Sequence, residues 1–227
     1  MLRWYKADSF NLADGEPVGS GNNYWVDNSP NAGHLYCNSD TIFPTIINNS
    51  FNGLPAVDFS NRATGVNLTG LTTLVPAISG QTFFLIYYLS YTGNQSFFGG
   101  TTTNFDVQRL SPSGIKIQYE AAGNPSTSNI NTTVLNTLGF ISISYSGNSF
   151  NGTTTGQYLK YPSSGTTIQS NLDFFTGRYH RIGRSTSALT NLPFSGKVCE
   201  LLVYQSGFSN QSQALFLDNY FRPKWGF

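Results

Sequence analysis

One apolar strand followed by one amphipathic helix closes this chain, and that order constrains its fold more than any other feature. Residues 194–204 read FSGKVCELLVY, so Gly196 leads into a strand that carries a single acid, Glu200. Because a lone buried charge is costly, Glu200 needs a partner if the strand is covered. We name Arg3 and Arg184 as the two candidates for that partner.

The helix after this strand is predicted from a cap, a stripe and a stop. Ser209 belongs to a residue type that caps helix N-termini. Ala214, Leu217 and Phe221 are spaced to lie on one helical face, which would pack against the sheet. Pro223 is predicted to end the helix, because proline lacks the backbone N–H that the helix would use.

The rest of the chain has the periodicity of β-strands. Residues 115–119 and 141–145 alternate apolar and polar side chains, which is typical of strands with one wet face. Residues 82–89 are nearly all apolar and predict a central strand that is covered on both faces. Shorter strands are predicted at Ala56–Phe59, Phe105–Leu110, Gln157–Tyr161 and Arg178–Gly183, separated by turns rich in Gly, Ser and Asn. We expect an all-β sandwich or barrel, with residues 1–227 as a single domain.

The low charge of the chain excludes some partners. Only 10% of the residues are charged, against about 25% in an average soluble protein, and the net charge is +1. No field of one sign exists to gather nucleic acid or an anionic membrane surface, so we expect neither as a partner. No apolar run approaches the roughly 20 residues of a membrane helix, and the N-terminus lacks the apolar core of an export signal.

The two cysteines, Cys37 and Cys199, lie far apart in sequence. Cys199 is in the apolar last strand, which favours a buried free thiol. A disulfide between the two is the alternative, and its geometry cannot be judged from sequence. No Cys/His spacing indicates a metal site.

Several short motifs occur in an order that resembles concanavalin A-like (laminin G-like) domains. They are Leu2–Asp8, Trp25–Ser29, Phe43–Thr45, Asn52–Phe59, Ile182–Arg184 and the final strand and helix with Lys224-Trp225. The central third of the chain matches only in its strand pattern. The resemblance implies one antiparallel two-sheet jelly roll with a short C-terminal helix.

We interpret most of these motif residues as structural. Asn52-Gly53 suits a tight turn that needs positive φ, and Pro55 would set the entry to the next strand. Trp4 and Trp225, near opposite ends of the chain, are expected to meet where the first and last elements close the sandwich. The structural set is Trp4, Asn52, Gly53, Pro55, Gly196, Glu200, Leu217 and Trp225.

No catalytic residues are predicted. Glucanases of the family use paired carboxylates, which must lie within about 5–10 Å of each other. The only glutamates are Glu16, Glu120 and Glu200, and none has a second glutamate two positions away. We therefore expect no enzymatic activity and no cofactor. A structural Ca²⁺ is the alternative, because relatives bind it through loop oxygens; Asp27 with Asn28, or Asn104 with Asp106, would supply ligands here.

Two aromatic clusters are candidates for glycan binding. A sugar stacks its apolar face on an aromatic ring while a few polar groups bind its hydroxyls. The first cluster is Tyr24, Trp25, Asp27 and Asn28, and the second is Tyr87, Tyr88 and Tyr91. Core packing is the competing interpretation of both.

The function predicted from these features is that of a virion structural protein, most naturally of a bacteriophage. Such domains act on extracellular surfaces, yet the chain shows neither an export signal nor a catalytic constellation, and virion proteins leave the cell by lysis. The protein would decorate the capsid or form a tail or fibre tip in many copies, contacting coat or tail proteins or host glycans. A cellular extracellular carbohydrate-binding module is the alternative, and a glycan hydrolase is a third hypothesis.

Overall fold

In the computed structural model the described residues are 1, 3–30, 33–36, 43–60, 68–71, 80–100, 106–110, 114–121, 124–131, 135–146, 153–161, 168–173, 179–183 and 194–226. Over this part of the chain, two antiparallel β-sheets pack face to face and a short helical segment follows the last strand. The predicted fold class, an antiparallel jelly-roll sandwich with one C-terminal helical segment, is confirmed.

The first sheet holds both ends of the chain. Its eight described strands are β1 (Arg3–Lys6), β3 (Thr45–Phe51), β4 (Leu54–Asp58), β6 (Gly80–Leu89), β11 (Leu138–Ser146), β12 (Thr153–Tyr161), β13 (Ile168–Asp173) and β15 (Gly196–Tyr204). The order is β13-β12-β11-β6-β15-β4-β3, and β1 pairs with β15 beside this path. The first and last strands of the chain therefore lie side by side, as the sequence predicted.

The second sheet covers the inner face of the first. Its seven described strands are β2 (Leu35–Tyr36), β5 (Leu68–Leu71), β7 (Gln95–Gly100), β8 (Asp106–Leu110), β9 (Gly114–Ala121), β10 (Asn124–Asn131) and β14 (Tyr179–Ile182). They follow the order β10-β9-β8-β7-β14-β5-β2. Strand β10, at the edge, is almost entirely polar and was not predicted.

Strand β6 is buried on both faces, which confirms the prediction for residues 82–89. Phe83, Leu85, Tyr87 and Leu89 point into the core between the two sheets. Phe84 and Ile86 point the other way, into a second cluster beneath the C-terminal helix. Each such buried apolar side chain contributes about 1.5–3 kcal/mol relative to an exposed one. A strand with two apolar faces therefore needs both the second sheet and the helix.

The C-terminal helical segment covers the outer face of the first sheet. It runs as α1 (Asn210–Phe216), a π-helical turn (Leu217–Phe221) and α2 (Arg222–Trp225). The Ser209 side chain accepts a hydrogen bond from the backbone N–H of Ser212, so the predicted N-cap is confirmed. Leu217 and Phe221 are buried against Phe84 and Ile86.

The prediction that Pro223 ends the helix is wrong. Pro223 lies in the first turn of α2, inside a helical segment whose backbone stays right-handed from Phe216 to Arg222. The preceding π-helical turn shifts the hydrogen bonding, since the Arg222 N–H donates to the Leu217 carbonyl oxygen. The segment ends instead at Gly226, whose φ of 75° and ψ of 43° give a left-handed C-terminal cap.

The predicted turn and glycine anchors lie beside this segment. Asn52 and Gly53 have φ values of 49° and 76° and form the turn between β3 and β4. Asn52 Nδ2 also donates to the carbonyl oxygen of Lys224 at 2.9 Å, which ties the turn to the end of the helix. Gly196 approaches β6 so closely that a β-carbon there would overlap the carbonyl oxygen of Tyr88.

Pro55 and Cys199 both lie in strands of the first sheet. Pro55 lies in β4 where the pairing with β3 shifts register, so its missing N–H leaves the strand pairing intact. Cys199 is a free, buried thiol. Cys37 and Arg184 lie outside the described residues.

Candidate functional site

Glu200 joins the first strand, the last strand and the C-terminal helix. Its Oε1 accepts hydrogen bonds from Trp4 Nε1 and the Tyr220 hydroxyl, both at 2.7 Å. Its Oε2 accepts from Lys224 Nζ and Trp225 Nε1, both at 2.9 Å. The carboxylate is fully buried and pairs with Lys224, which also contacts Asp8 at 3.3 Å. The predicted meeting of Trp4 and Trp225 therefore takes place on this carboxylate.

A β-bulge aims Glu200 at these donors. Val198 pairs with Tyr87 and Glu200 pairs with Ile86, so Cys199 is the extra residue of β15. Without the bulge, simple alternation would turn Glu200 into the core between the sheets. With it, Glu200, Leu202 and Tyr204 point toward the helix. The bulge thus redirects one side chain, as bulges commonly do.

Asp27 holds a second buried network, and Arg3 belongs to it. Arg3 donates to Asp27 Oδ2 at 2.9 Å, so the prediction that Arg3 pairs with Glu200 is wrong. The same carboxylate accepts backbone hydrogen bonds from Trp4, Ser29 and Gly33, each at 2.9 Å. Burial raises the pKa of Asp27, but these hydrogen bonds outweigh that effect and hold the pKa below its ordinary value. Asp27 is therefore a buried structural anion.

The first predicted aromatic cluster is divided between core and surface. Trp25 is fully buried and Asp27 is 4% exposed, so neither side chain faces solvent. Tyr24 is 38% exposed and stacks on the ring of His34, with ring centroids 5.7 Å apart. Asn28 is also exposed. Tyr24 and Asn28 are thus the two residues of this cluster that a ligand could reach, and their role in binding stays a prediction.

The second predicted cluster is divided in the same way. Tyr87 is buried in the core, where its ring meets Phe97 edge to face at 4.8 Å. Tyr91 is 39% exposed in the loop after β6. Tyr88 lies half-buried on the outer face of the first sheet. Tyr88 is thus the one that combines a position on a strand with access from solvent.

Tyr88 belongs to a row of side chains that crosses the outer face of the first sheet. The cross-strand pairs Asp58–Lys197, Lys197–Tyr88 and Tyr88–Leu138 place these residues side by side on one face. The ring of Phe51 lies 5.4 Å from that of Tyr88, tilted by 40°. Lys197 Nζ stands over both rings, 5.5 Å from the centroid of Phe51 and 5.9 Å from that of Tyr88.

Polar groups border these two rings. The Tyr88 hydroxyl donates to Asn136 Oδ1 at 3.4 Å, and Lys197 Nζ donates to Ser50 Oγ at 3.4 Å. We call Phe51, Asp58, Tyr88, Asn136 and Lys197 the aromatic–lysine face. It combines ring surface, an amide, a carboxylate and an ammonium group, the chemistry that sugar recognition uses. Sequence reasoning found only Tyr88, because the other four residues meet it through strand register and turns.

The remaining carboxylates of the described residues form no second candidate site, either catalytic or metal-binding. Glu200 has both oxygens occupied, Glu16 is exposed in a loop, and the side chain of Glu120 is not among those described. No group of three or more His, Cys, Asp or Glu that could hold a metal ion occurs within the described ranges. In the same ranges, no helix is long and apolar enough to span a membrane.

Comparison with known proteins identifies similar folds but no family for this chain. No family model matches the chain, and no curated protein matches it in sequence. Among solved structures, domain 4 of AbnA, a GH43 extracellular arabinanase from Geobacillus stearothermophilus in complex with arabinotriose, superposes with a TM-score of 0.57. The identity is 15%, over 93% of this chain and 95% of that domain.

Two further solved structures are longer than this chain, which matches only part of each. The enzymatically active domain of tailspike protein 2 from bacteriophage CBA120 gives a TM-score of 0.55 at 13% identity, covering 82% of this chain and 30% of that one. Botulinum neurotoxin type C, whose cell entry is dependent upon interaction with two ganglioside molecules, gives a TM-score of 0.54 at 8% identity, covering 89% of this chain and 50% of that one. The chain is therefore similar to these proteins in fold, a jelly-roll β-sandwich.

Proposed function

We propose that this protein is a non-catalytic glycan-binding protein that binds through the aromatic–lysine face. The observation that carries the proposal is the pair of half-buried rings, Phe51 and Tyr88, next to a lysine, an amide and a carboxylate on a rigid sheet. A sugar ring can stack on Tyr88 while Asn136 hydrogen-bonds its hydroxyls, and Asp58, two strands away across Lys197, can accept from the next sugar of a chain. The arabinotriose complex of the AbnA domain supports a sugar ligand for a fold of this size.

The binding proposal is tested by removing one ring from each of two surfaces. Tyr88→Ala should weaken binding to the best ligand of a glycan array by about tenfold or more, since it deletes the central ring. Tyr24→Ala, which removes a more exposed ring outside the aromatic–lysine face, is the matched control and should leave binding unchanged. Both variants are checked for folding by circular dichroism. Loss of binding in Tyr24→Ala alone would contradict the assignment of the face.

The absence of catalysis is part of the proposal and has its own support. Glu200 is fully buried and accepts four hydrogen bonds, an arrangement that leaves no lone pair for proton transfer to a substrate. A panel of β-glucans, arabinans and other polysaccharides should therefore release no reducing sugar above a heat-killed control. Release that disappears in Glu120→Gln would refute the non-enzymatic assignment.

The setting we propose for this activity is the virion of a bacteriophage. The protein would decorate the capsid or form part of a tail or fibre, in many copies that contact coat or tail proteins and host glycans. The similarity in fold to a phage tailspike domain and the near-neutral charge support this setting. Repeated copies would allow modest single-site affinities to add by avidity.

A cellular extracellular carbohydrate-binding module is the second candidate. The full-length match to domain 4 of an extracellular arabinanase favours it. Mass spectrometry of purified phage particles separates the two. The virion proposal predicts peptides of this chain in the particles at fixed stoichiometry. Their absence from particles, with secretion by uninfected cells, would leave the cellular module.

A further inference from the structure

Lys197 is held on the aromatic–lysine face by contacts that leave its charge uncompensated among the described residues. Its ammonium group stands over Phe51 and Tyr88 and donates to the hydroxyl of Ser50. The side chain is half-buried, so its charge is less screened than that of a fully exposed lysine. The described basic residues on the C-terminal segment, unlike Lys197, form ion pairs. Lys224 pairs with Glu200 and Asp8, and Arg222 pairs with Asp218.

Asp58 is the one acidic residue placed beside Lys197 by strand pairing. The two lie directly opposite on β4 and β15, yet they form no ion pair within 4.0 Å. Asp58 Oδ1 instead accepts the backbone N–H of Ser60 at 2.8 Å. The ammonium group leans toward the rings and away from this carboxylate, so it remains available to an anion that approaches from solvent over Tyr88.

We infer that the ligand of this face is an acidic glycan, whose carboxylate binds Lys197 while its ring stacks on Tyr88. The inference rests on the proposed glycan-binding function and specifies the ligand class within it. Asp58, on the far side of Lys197, accepts hydroxyl hydrogen bonds and disfavours a second carboxylate. The aromatic–lysine face therefore selects a glycan that carries a carboxylate beside Lys197 and none beside Asp58.

The test uses two pairs of glycans, each an acidic glycan and its neutral methyl ester. Trigalacturonate, which has three carboxylates, is compared with its trimethyl ester, and sialyllactose, which has one, with its methyl ester, on the intact protein by isothermal titration calorimetry. The acidic member of at least one pair should bind about tenfold more tightly than its neutral counterpart, the size expected for one charge-assisted contact. Lys197→Met should remove that preference while keeping residual binding through the ring, and Lys197→Arg should retain it.

Lys6→Met is the matched control, because Lys6 also stands over an aromatic ring, Trp4, at 4.9 Å on the same sheet. This variant should leave the preference unchanged. Equal binding of the acidic and neutral members, with Tyr88→Ala still weakening both, would overturn the acidic-ligand inference and leave the glycan-binding proposal standing. A preference that survives in Lys197→Met would also overturn it. If no member of any pair and no glycan of the array binds, both proposals fail together.

Discussion

Replacing Glu200 by glutamine should destabilise the protein by about 3–5 kcal/mol, because a buried ion pair loses one partner. The substitution keeps the shape of the side chain and one acceptor oxygen. It replaces the other oxygen with an NH₂ group, which faces either Trp4 and Tyr220 or Lys224 and Trp225. If the NH₂ group faces Lys224 and Trp225, both of these donors lose their acceptor. If it faces Trp4 and Tyr220, the Tyr220 hydroxyl can rotate to accept from it, but the Trp4 indole loses its acceptor and Lys224 loses the charge of its partner. Two contacts are therefore lost or weakened in either orientation.

The magnitude follows from those two contacts. Hydrogen bonds to a charged group contribute about 1.5–3 kcal/mol each, so two of them give roughly 3–6 kcal/mol. Lys224 keeps Asp8 at 3.3 Å and is 16% exposed, which places the expected loss toward the lower part of that range. For a chain of this length the midpoint of thermal unfolding should fall by about 6–20 °C.

Equilibrium urea unfolding, followed by tryptophan fluorescence and far-UV circular dichroism, measures this loss. The indoles of Trp4 and Trp225 bind the carboxylate directly, so their emission reports on the same contacts. Asp218→Asn is the matched control, since it breaks an ion pair with Arg222 whose side chains are 51% and 41% exposed. That change should cost less than about 1 kcal/mol. A Glu200→Gln variant no less stable than Asp218→Asn would refute the argument that this carboxylate holds the chain ends together.

Two further substitutions test the outer cluster and the second buried network. Leu217→Ala should lower the free energy of unfolding by about 2–5 kcal/mol, because Leu217 is 4% exposed. The control Leu215→Ala, at a site that is 53% exposed, should change it by no more than about 0.5 kcal/mol. Equal losses in the two variants would contradict the assigned helix face. Asp27→Asn should destabilise the protein at pH 7 through its bonds to Arg3 and three backbone N–H groups. Since the pKa of Asp27 is lowered on folding, its contribution is present above the ordinary carboxyl pKa of about 4 and is lost as pH falls through the folded value, so wild type and Asp27→Asn should converge in urea unfolding below pH 4. A difference that persists unchanged to pH 2 would contradict this.

The fold was predictable wherever burial leaves a periodic pattern in the sequence. Residues 82–89 are apolar on both faces because β6 lies between β11 and β15 with a core on each side. Strand β10 lies at a sheet edge and consists of Asn, Pro, Ser, Thr and one Ile, so no pattern predicted it. Pro223 misled for a different reason: a proline signals either the end of a helix or the first turn of a new one, and the π-helical turn before it decides between them.

The candidate site was predicted less well, because neighbouring residues on a strand face opposite ways. The sequence predicts one cluster of Tyr24, Trp25, Asp27 and Asn28. In the structure Trp25 pairs with Leu35 and Asp27 with Tyr5, and both side chains are buried. A period of two applied to this segment would have separated them. No such signal existed for Glu200, whose orientation depends on the bulge at Cys199, and its four partners come from three different elements.

The C-terminal segment stabilises the first sheet and borders the proposed binding face. Leu217, Phe221 and Trp225 cover the cluster that contains Ile86 and Phe140, while the next row of the sheet carries Tyr88 and Lys197 at half burial. The Asn52 side chain, bonded to the Lys224 carbonyl oxygen, fixes Phe51 at that boundary. Phe51, whose ring lies beside that of Tyr88, packs against the hydrophobic cluster that the helix completes. Loosening the Glu200 network should consequently weaken ligand binding as well as stability, although Glu200 lies beneath the helix and has no free acceptor for a ligand.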